Sequence, residues 1–442
     1  MDTGSTAWIL ASTAAVLLMV PGLALFYGGM VGVRGVLNMI MMTFGAVAVV
    51  GVLWTLFGYS AVFGDSYGGL GLLGNVTEHL GLGDLLKEDP QATLPPALVA
   101  VFQALFAAIT VALISGALAD RITFGGWLVF AGLWAVLVYF PVAHWVFAFD
   151  SADGGLIGGW IVNKLGAVDF AGGTAVHINA GVAALAAVLV IGRRRSWPRV
   201  TRPHNLPLVM LGAGILWFGW MGFNGGSALA AGNAASVVLL TTFNATCAAM
   251  LAWLLVERIR DKHATSLGAA SGAIAGLVAI TPACGAVSPM GALAVGAVAG
   301  VICPLAIGLK YKLGYDDALD VVGVHLVGGV AGTLLIGFLA TEDAPNGRAG
   351  LFYGGGWGLL GAQAVAALAV LAYSFVVTLV LALALKKVIG LRLSDEQEAS
   401  GADLAVHAEN AYDMSGESFG PAISQPAVRT AAKPVKVSDV VG

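Results

Sequence analysis

Two histidines stand alone inside long apolar stretches that resemble each other: DFAGGTAVHINAG, from Asp169 to Gly181, and DVVGVHLVGGVAG, from Asp320 to Gly332. Each stretch opens on an aspartate, carries one histidine (His177 or His325) and surrounds it with Gly, Ala and Val. A neutral imidazole offers one N–H donor and one acceptor nitrogen, so two of them together can relay a proton or hydrogen-bond a small polar guest. An ionisable side chain at membrane depth is costly and usually faces a cavity, a partner or a transport path. A single histidine in such a segment is more often a satisfied packing residue. Two in matching places, one per half of the chain, favour a shared site at the centre of a pore. The other histidines, His79, His144, His204, His263 and His407, fall at segment ends or in loops and read as structural.

The elements that position this pair follow from composition. Hydrophobic residues make up 58% of the 442 residues and charged residues 10%, too little charge to cover a soluble fold of this length. A membrane span takes about 20 apolar residues to cross a hydrocarbon core of ~30 Å. That ruler predicts eleven spans, starting near residues 8, 36, 95, 124, 173, 207, 234, 267, 291, 319 and 353. Basic residues then sort by side. Arg34, Arg121, the cluster Arg193 to Arg202, Arg258, Arg260, Lys262, Lys310, Lys312, Lys386, Lys387 and Arg392 fall on one side, and only Lys87, Lys164 and Arg348 on the other. The positive-inside rule makes the first side cytoplasmic, with the N-terminus outside and the C-terminus inside a cell membrane. The start, MDTGSTAWIL, lacks a basic region and runs into a full-length span, so no cleavable signal peptide is expected.

The spans divide into two groups of five and one extra C-terminal helix, His177 closing the first group and His325 the second. Because five is odd, the second group enters the membrane from the opposite side, which makes an inverted repeat with its substrate site near the midplane. The predicted fold is therefore all-α and polytopic, with a membrane domain over residues 1–390 and a cytoplasmic tail over 391–442. The tail is acidic at first (Asp395, Glu396, Glu398, Asp403, Glu409, Asp413) and reads as disordered after about residue 414. The outer connection from Asp65 to Gln91 carries Glu78, Asp84, Glu88 and Asp89 and reads as a solvated loop or a mild attractor of cations. Cys247, Cys284 and Cys303 have no metal-ligand spacing and read as small core residues. With no Walker loop, HExxH or nucleotide fingerprint, and no GxSxG element in the helical regions, no enzyme activity, cofactor, metal or nucleic-acid partner is expected.

At the level of motifs the chain resembles the ammonium transporter (Amt/Mep/Rh) family, bacterial Amt type. The resemblance rests on PGLALFYGG (Pro21 to Gly29), FQALFAAITVALISGALADR (Phe102 to Arg121), the two histidine stretches, HNLPLVMLGAGILWFGWMGFNGGSA (His204 to Ala228), SGAIAGLVAITPACG (Ser271 to Gly285) and the tail from Gly390 to Asp413. It implies a homotrimer with one pore per subunit and, at the cytoplasmic face, a PII-type regulatory partner. It also implies that Phe106 and Phe223 close the outer mouth, that Ser227 accepts a hydrogen bond from ammonium, that His177 and His325 are the twin histidines of the pore, and that Asp169 stands near the recruitment site. One position departs from the family pattern. After Ala143-His144-Trp145-Val146 this chain has Phe147 where many members carry a vestibule tryptophan, and Trp160 in the longer loop beyond is the alternative.

Ammonium is a small cation with N–H donors and no acceptor, so a site selecting it offers an aromatic face for cation–π attraction and an oxygen acceptor. Trp160 or Phe147, together with Ser227, would supply these. The plainer readings are an interfacial tryptophan anchor and, for Ser227 and Asp169, helix caps. Carrying a full charge through a dry pore is expensive, so the expected mechanism deprotonates ammonium and conducts ammonia past the histidines; the residues leave open whether transport is electrogenic. The rival expectations are a neutral gas channel of Rh type, for ammonia or carbon dioxide, and an ammonium sensor that signals through the tail.

Overall fold

The computed structural model describes residues 1–87, 92–199 and 202–412. Glu88 and Asp89 of the acidic outer loop, and the tail stretch read as disordered after about residue 414, lie outside these residues. The described residues form helices, with only isolated bridges and no strand.

Among the described residues, ten helices are long and apolar enough to cross a membrane. They are α1 (Thr3–Met30), α2 (Val36–Phe63), α3 (Pro96–Leu118), α4 (Phe124–Phe147), α5 (Gly173–Ile191), α6 (Leu206–Gly226), α7 (Asn233–Arg260), α9 (Pro289–Leu313), α10 (Val322–Leu339) and α11 (Gly358–Val388). An eleventh apolar helix, α8 (Ser266–Ile280), is shorter, because Pro282 just beyond it has no N–H to continue the ladder. In hydrocarbon every backbone group must find an internal partner, which helices achieve within themselves. Their open ends are closed by side chains: Asp2 accepts from Ser5 N–H, Asn205 from Leu208 N–H, Thr265 from Gly268 N–H and Ser288 from Gly291 N–H.

The protein is a polytopic membrane protein in which α1–α5 and α6–α10 are the two repeats and α11 is the extra helix. The repeats meet along α1 and α6 through small residues. A Cβ on Gly22 would lie 3.1 Å from Leu216 N, and one on Gly29 2.8 Å from Val209 N. Such close backbone approach is how helices associate in lipid, where no hydrophobic effect draws them together.

We call the side bearing the N-terminus outer and the opposite side inner. On the inner side buried charges join the repeats. Arg194 Nη2 lies 2.8 Å from Asp316 Oδ1, Arg194 Nη1 3.3 Å from Asp120 Oδ2, and Arg121 donates to the Asp316 carbonyl. The tail docks on this side. Thr123 N–H donates to Leu391 O at 2.8 Å and Leu393 N–H to Arg121 O at 2.9 Å. A capping box of Ser394 and Gln397 then opens a short helix, α12 (Asp395–Ser400). Gly35, at the N-terminus of α2, has no side chain to cap it. Asp403 of the tail does that work, accepting from Leu37 N–H at 3.1 Å and Asn38 N–H at 2.8 Å.

Candidate functional site

Both histidines sit on a π-helical turn at the start of a span: Gly173–Ile178 carries His177, and Val322–Leu326 carries His325. A π-turn widens the helix by one residue and often marks a functional position. Each turn is capped by a carboxylate. Asp169 accepts from the N–H groups of Gly172 (2.8 Å), Gly173 (2.6 Å) and Thr174 (2.7 Å), and from the Thr174 hydroxyl. Asp317 accepts from Val321 N–H at 3.1 Å and Val322 N–H at 2.7 Å.

The repeat partner of Asp169 is therefore Asp317, not the Asp320 that opens the second stretch in the sequence comparison. Asp169 and Asp317 each stand eight residues before their histidine, a spacing that was present in the sequence. Asp320 adopts a positive φ of 64° and pairs with Lys310.

The capped turns bring the histidines together. Their Nδ1 atoms are 3.2 Å apart and their rings 5.3 Å apart, at 26°. At that separation one Nδ1 carries a hydrogen and the other accepts it. The tautomers are thereby set in opposition, leaving one Nε2 as acceptor and the other as donor. His177 is buried and its Nε2 has no protein partner. Trp220 stacks on His177 with ring centroids 5.4 Å apart, and its indole N–H is fixed on Thr281 Oγ1 at 2.8 Å.

Both rings line an apolar cavity of about 20 Å³, with Leu113, Leu216, Trp220, Phe223 and Ile274 in its wall. On the outer side lies a larger cavity of about 540 Å³, lined among others by Phe106, Phe147, Asp169, Ser227 and Arg348. Phe106 belongs to the outer cavity and Phe223 to the inner one, and their rings stack at 3.9 Å and 16°. The stacked pair stands between the two spaces. Ser227 Oγ donates to the Phe223 carbonyl at 2.8 Å, so its lone pairs remain available to a donor.

Of the two aromatic candidates, Phe147 lines the outer cavity, with its ring 6.3 Å from Phe106 and edge-on to it. Trp160 is not among the lining residues. Its backbone N–H donates to Gly71 O at 3.1 Å, its ring rests 5.9 Å from that of Trp145, and its buried indole N–H has no partner among the described residues. In the sequence Arg348 reads only as an outer basic residue. It reaches the cavity wall and donates to the Gly166 carbonyl. No group of three or more His, Cys, Asp or Glu among the described residues is arranged to hold a metal.

An inverted repeat with a narrow passage at its centre, shut on one side by stacked aromatic rings, defines a membrane transporter or channel. The model of the Ammonium Transporter Family matches residues 7–412, and the chain belongs to that family. An ammonium transporter of Mycobacterium tuberculosis (strain ATCC 25618 / H37Rv) is 60% identical over 438 residues, covering 93% of this chain and 91% of the relative. Among solved structures, Saccharomyces cerevisiae Mep2 aligns with a TM-score of 0.80 at 36% identity, over 90% of this chain and 88% of Mep2. A sensor Amt protein aligns with a TM-score of 0.81 at 29% identity, over 91% of this chain and 98% of its own. The relatives are named as transporters, and the protein is a transporter, not an enzyme.

Proposed function

We propose that the protein recruits ammonium in the outer cavity, removes a proton there and conducts ammonia between the two phenylalanines and past His177 and His325. The observation that carries this reading is the Phe106–Phe223 stack, set between a roomy, partly polar cavity and a tight apolar one that holds the histidine pair. A hydrated cation fits the first. The second has room for about one small molecule and is lined by apolar side chains, the two imidazoles and Tyr27, whose hydroxyl is spent on the Leu113 carbonyl, which suits a neutral guest.

In the outer cavity the Phe147 face supplies cation–π attraction and Ser227 an acceptor oxygen. Asp169, in the wall, attracts the cation and takes its proton while it caps the His177 turn. The opposed imidazole tautomers then give ammonia one donor and one acceptor and provide a path for a proton, which makes the transport electrogenic. The basic loops on the inner face support a cytoplasmic position for that face and for the tail docked on it. That face is where a PII-type regulatory protein would bind, and the apolar outer flanks of the helices serve packing in a homotrimer as well as contact with lipid.

The test is the current across a solid-supported membrane on an ammonium jump, wild type beside His177→Ala. A saturable wild-type current, lost or opened to potassium in the variant, supports the mechanism. Ammonia flux without current would favour a neutral gas channel. The likeness to a sensor Amt protein gives the sensor reading its place: absence of both current and flux would favour it.

A further inference from the structure

The extra helix, α11, stands outside the repeat, yet three of its polar side chains fasten one repeat element. Gln363 Oε1 accepts from Val168 N–H at 2.7 Å, and its Nε2 donates to the carbonyls of Val168 at 2.7 Å and Thr333 at 3.1 Å. Ser374 Oγ donates to Asn179 O at 3.1 Å, and Lys386 Nζ to Val190 O at 2.8 Å. Positions 363 and 374 are 11 residues apart, close to three turns of about 3.6 residues, while position 386 stands about a third of a turn further round. Gln363 and Ser374 therefore share one face of α11, Lys386 reaches round to the same neighbour with its long side chain, and together they hold α5 and the segment leading into it from end to end.

The leading segment is the sensitive part. Residues 166–170 form a wall of the outer cavity without regular structure, so each of their backbone groups needs a partner from elsewhere. Arg348 serves the Gly166 carbonyl, Ala167 N–H donates to Ile161 O at 3.1 Å, and Phe170 N–H donates to Pro282 O at 3.1 Å. The buried Val168 has both its N–H and its C=O on the carboxamide of Gln363, itself wholly buried. The next residue is Asp169.

We propose that Gln363 is a positioning residue for the outer cavity. By holding both backbone groups of Val168 it fixes where Asp169 enters the wall, and through the Asp169 cap it fixes the turn that carries His177. The bond to Thr333 ties the same carboxamide to α10, the helix of His325. This deepens the recruitment reading above and rests on it.

Gln363→Leu keeps the bulk but leaves a buried N–H and C=O unpaired, a penalty the wall relieves by turning. In reconstituted liposomes the half-saturating ammonium concentration of Gln363→Leu should rise about fivefold while the maximal current per protein is largely kept. Ser374→Ala, which breaks another bond of the same face away from the cavity, should leave the half-saturating concentration at the wild-type value. An unshifted Gln363→Leu, or an equal shift in Ser374→Ala, would overturn the proposal in favour of general stiffening. If Gln363→Leu does not fold, amide exchange of the wild-type protein decides: a slow Val168 N–H supports the clamp, and one exchanging like an unbonded loop amide overturns it. A wild type without saturable ammonium current would remove the recruitment reading, and with it the positioning role. The Val168 exchange rate would show separately whether the Gln363 contact exists.

Discussion

Gly329 lies directly against His177: a Cβ built on the glycine would stand 3.1 Å from the Cβ of the histidine. The same hypothetical atom would be 3.1 Å from Ile178 N and 3.2 Å from Gly173 O. The repeat partner is Gly181, four residues after His177 as Gly329 is four after His325, and it faces the backbone of Leu326. The two histidine helices cross glycine to backbone, twice, and the 3.2 Å contact between the imidazoles depends on that closeness.

Enlarging Gly329 should separate the histidines. Gly329→Val is expected to cost about 1–3 kcal/mol by overpacking and to abolish ammonia flux. Gly361→Ala is the control, since an added Cβ there meets nothing within 4 Å. Melting temperature and liposome flux, measured together, check both variants.

Removing one ring of the stacked pair should join the two cavities. Phe223 is buried at 1% exposure, so Phe223→Ala should destabilise by about 3–5 kcal/mol. Its functional sign is a loss of selectivity: potassium current, absent in wild type, should appear. An enlarged opening that still excludes potassium would move the selectivity filter to the histidines.

Inner-face stability should depend on pH through Asp316. Burial alone would raise the pKa of this carboxyl, but the Arg194 hydrogen bond and the charges of Arg121 and Arg194 outweigh it and hold the pKa below its ordinary value. A carboxylate with a lower pKa folded than unfolded adds stability above its unfolded value, about 3.9. That contribution is lost as pH falls through the folded value. Asp316→Asn leaves two buried guanidiniums short of their counter-charge and should cost about 3–5 kcal/mol at neutral pH. Melting curves from pH 7 down to pH 3 should show wild type losing this margin at the acid end and the variant having little of it to lose.

Asp403 caps α2 from the tail, so Asp403→Ala should cost about 1 kcal/mol and loosen the docked tail. Amide exchange should rise at Leu37 and Asn38 and across the tail helix, while α5 and α10 stay protected. Uniform exchange increases throughout would instead mean that the tail and the membrane domain unfold as one unit.

Much of this architecture is visible in hydropathy and charge. The predicted start near residue 36 matches Val36, 124 matches Phe124 and 173 matches Gly173, because each lies where a polar or glycine-rich turn meets an apolar run. The start near 353 falls short of Gly358, since the aromatic and glycine residues before α11 look apolar but form a short 3₁₀ turn, Leu351–Tyr353. The histidines stood out because charge-bearing groups are rare at that depth. The cap Asp317 did not. The notion of matching stretches fastened on Asp320, and a π-turn leaves no mark in hydropathy. Gln363 was equally silent: one amide in a long apolar helix gives no hint of which backbone it will meet. Phe147 and Trp160 could not be told apart because the choice turns on how the loop between them folds back onto Gly71.

The inner cavity, at about 20 Å³, has room for roughly one small molecule. Guests cannot overtake one another there. On the proposed path past the histidines, inward and outward travellers would obstruct each other, so isotopically labelled substrate leaving a loaded liposome should slow when unlabelled substrate is supplied outside. A wider conduit, letting both streams pass side by side, would show no such interference.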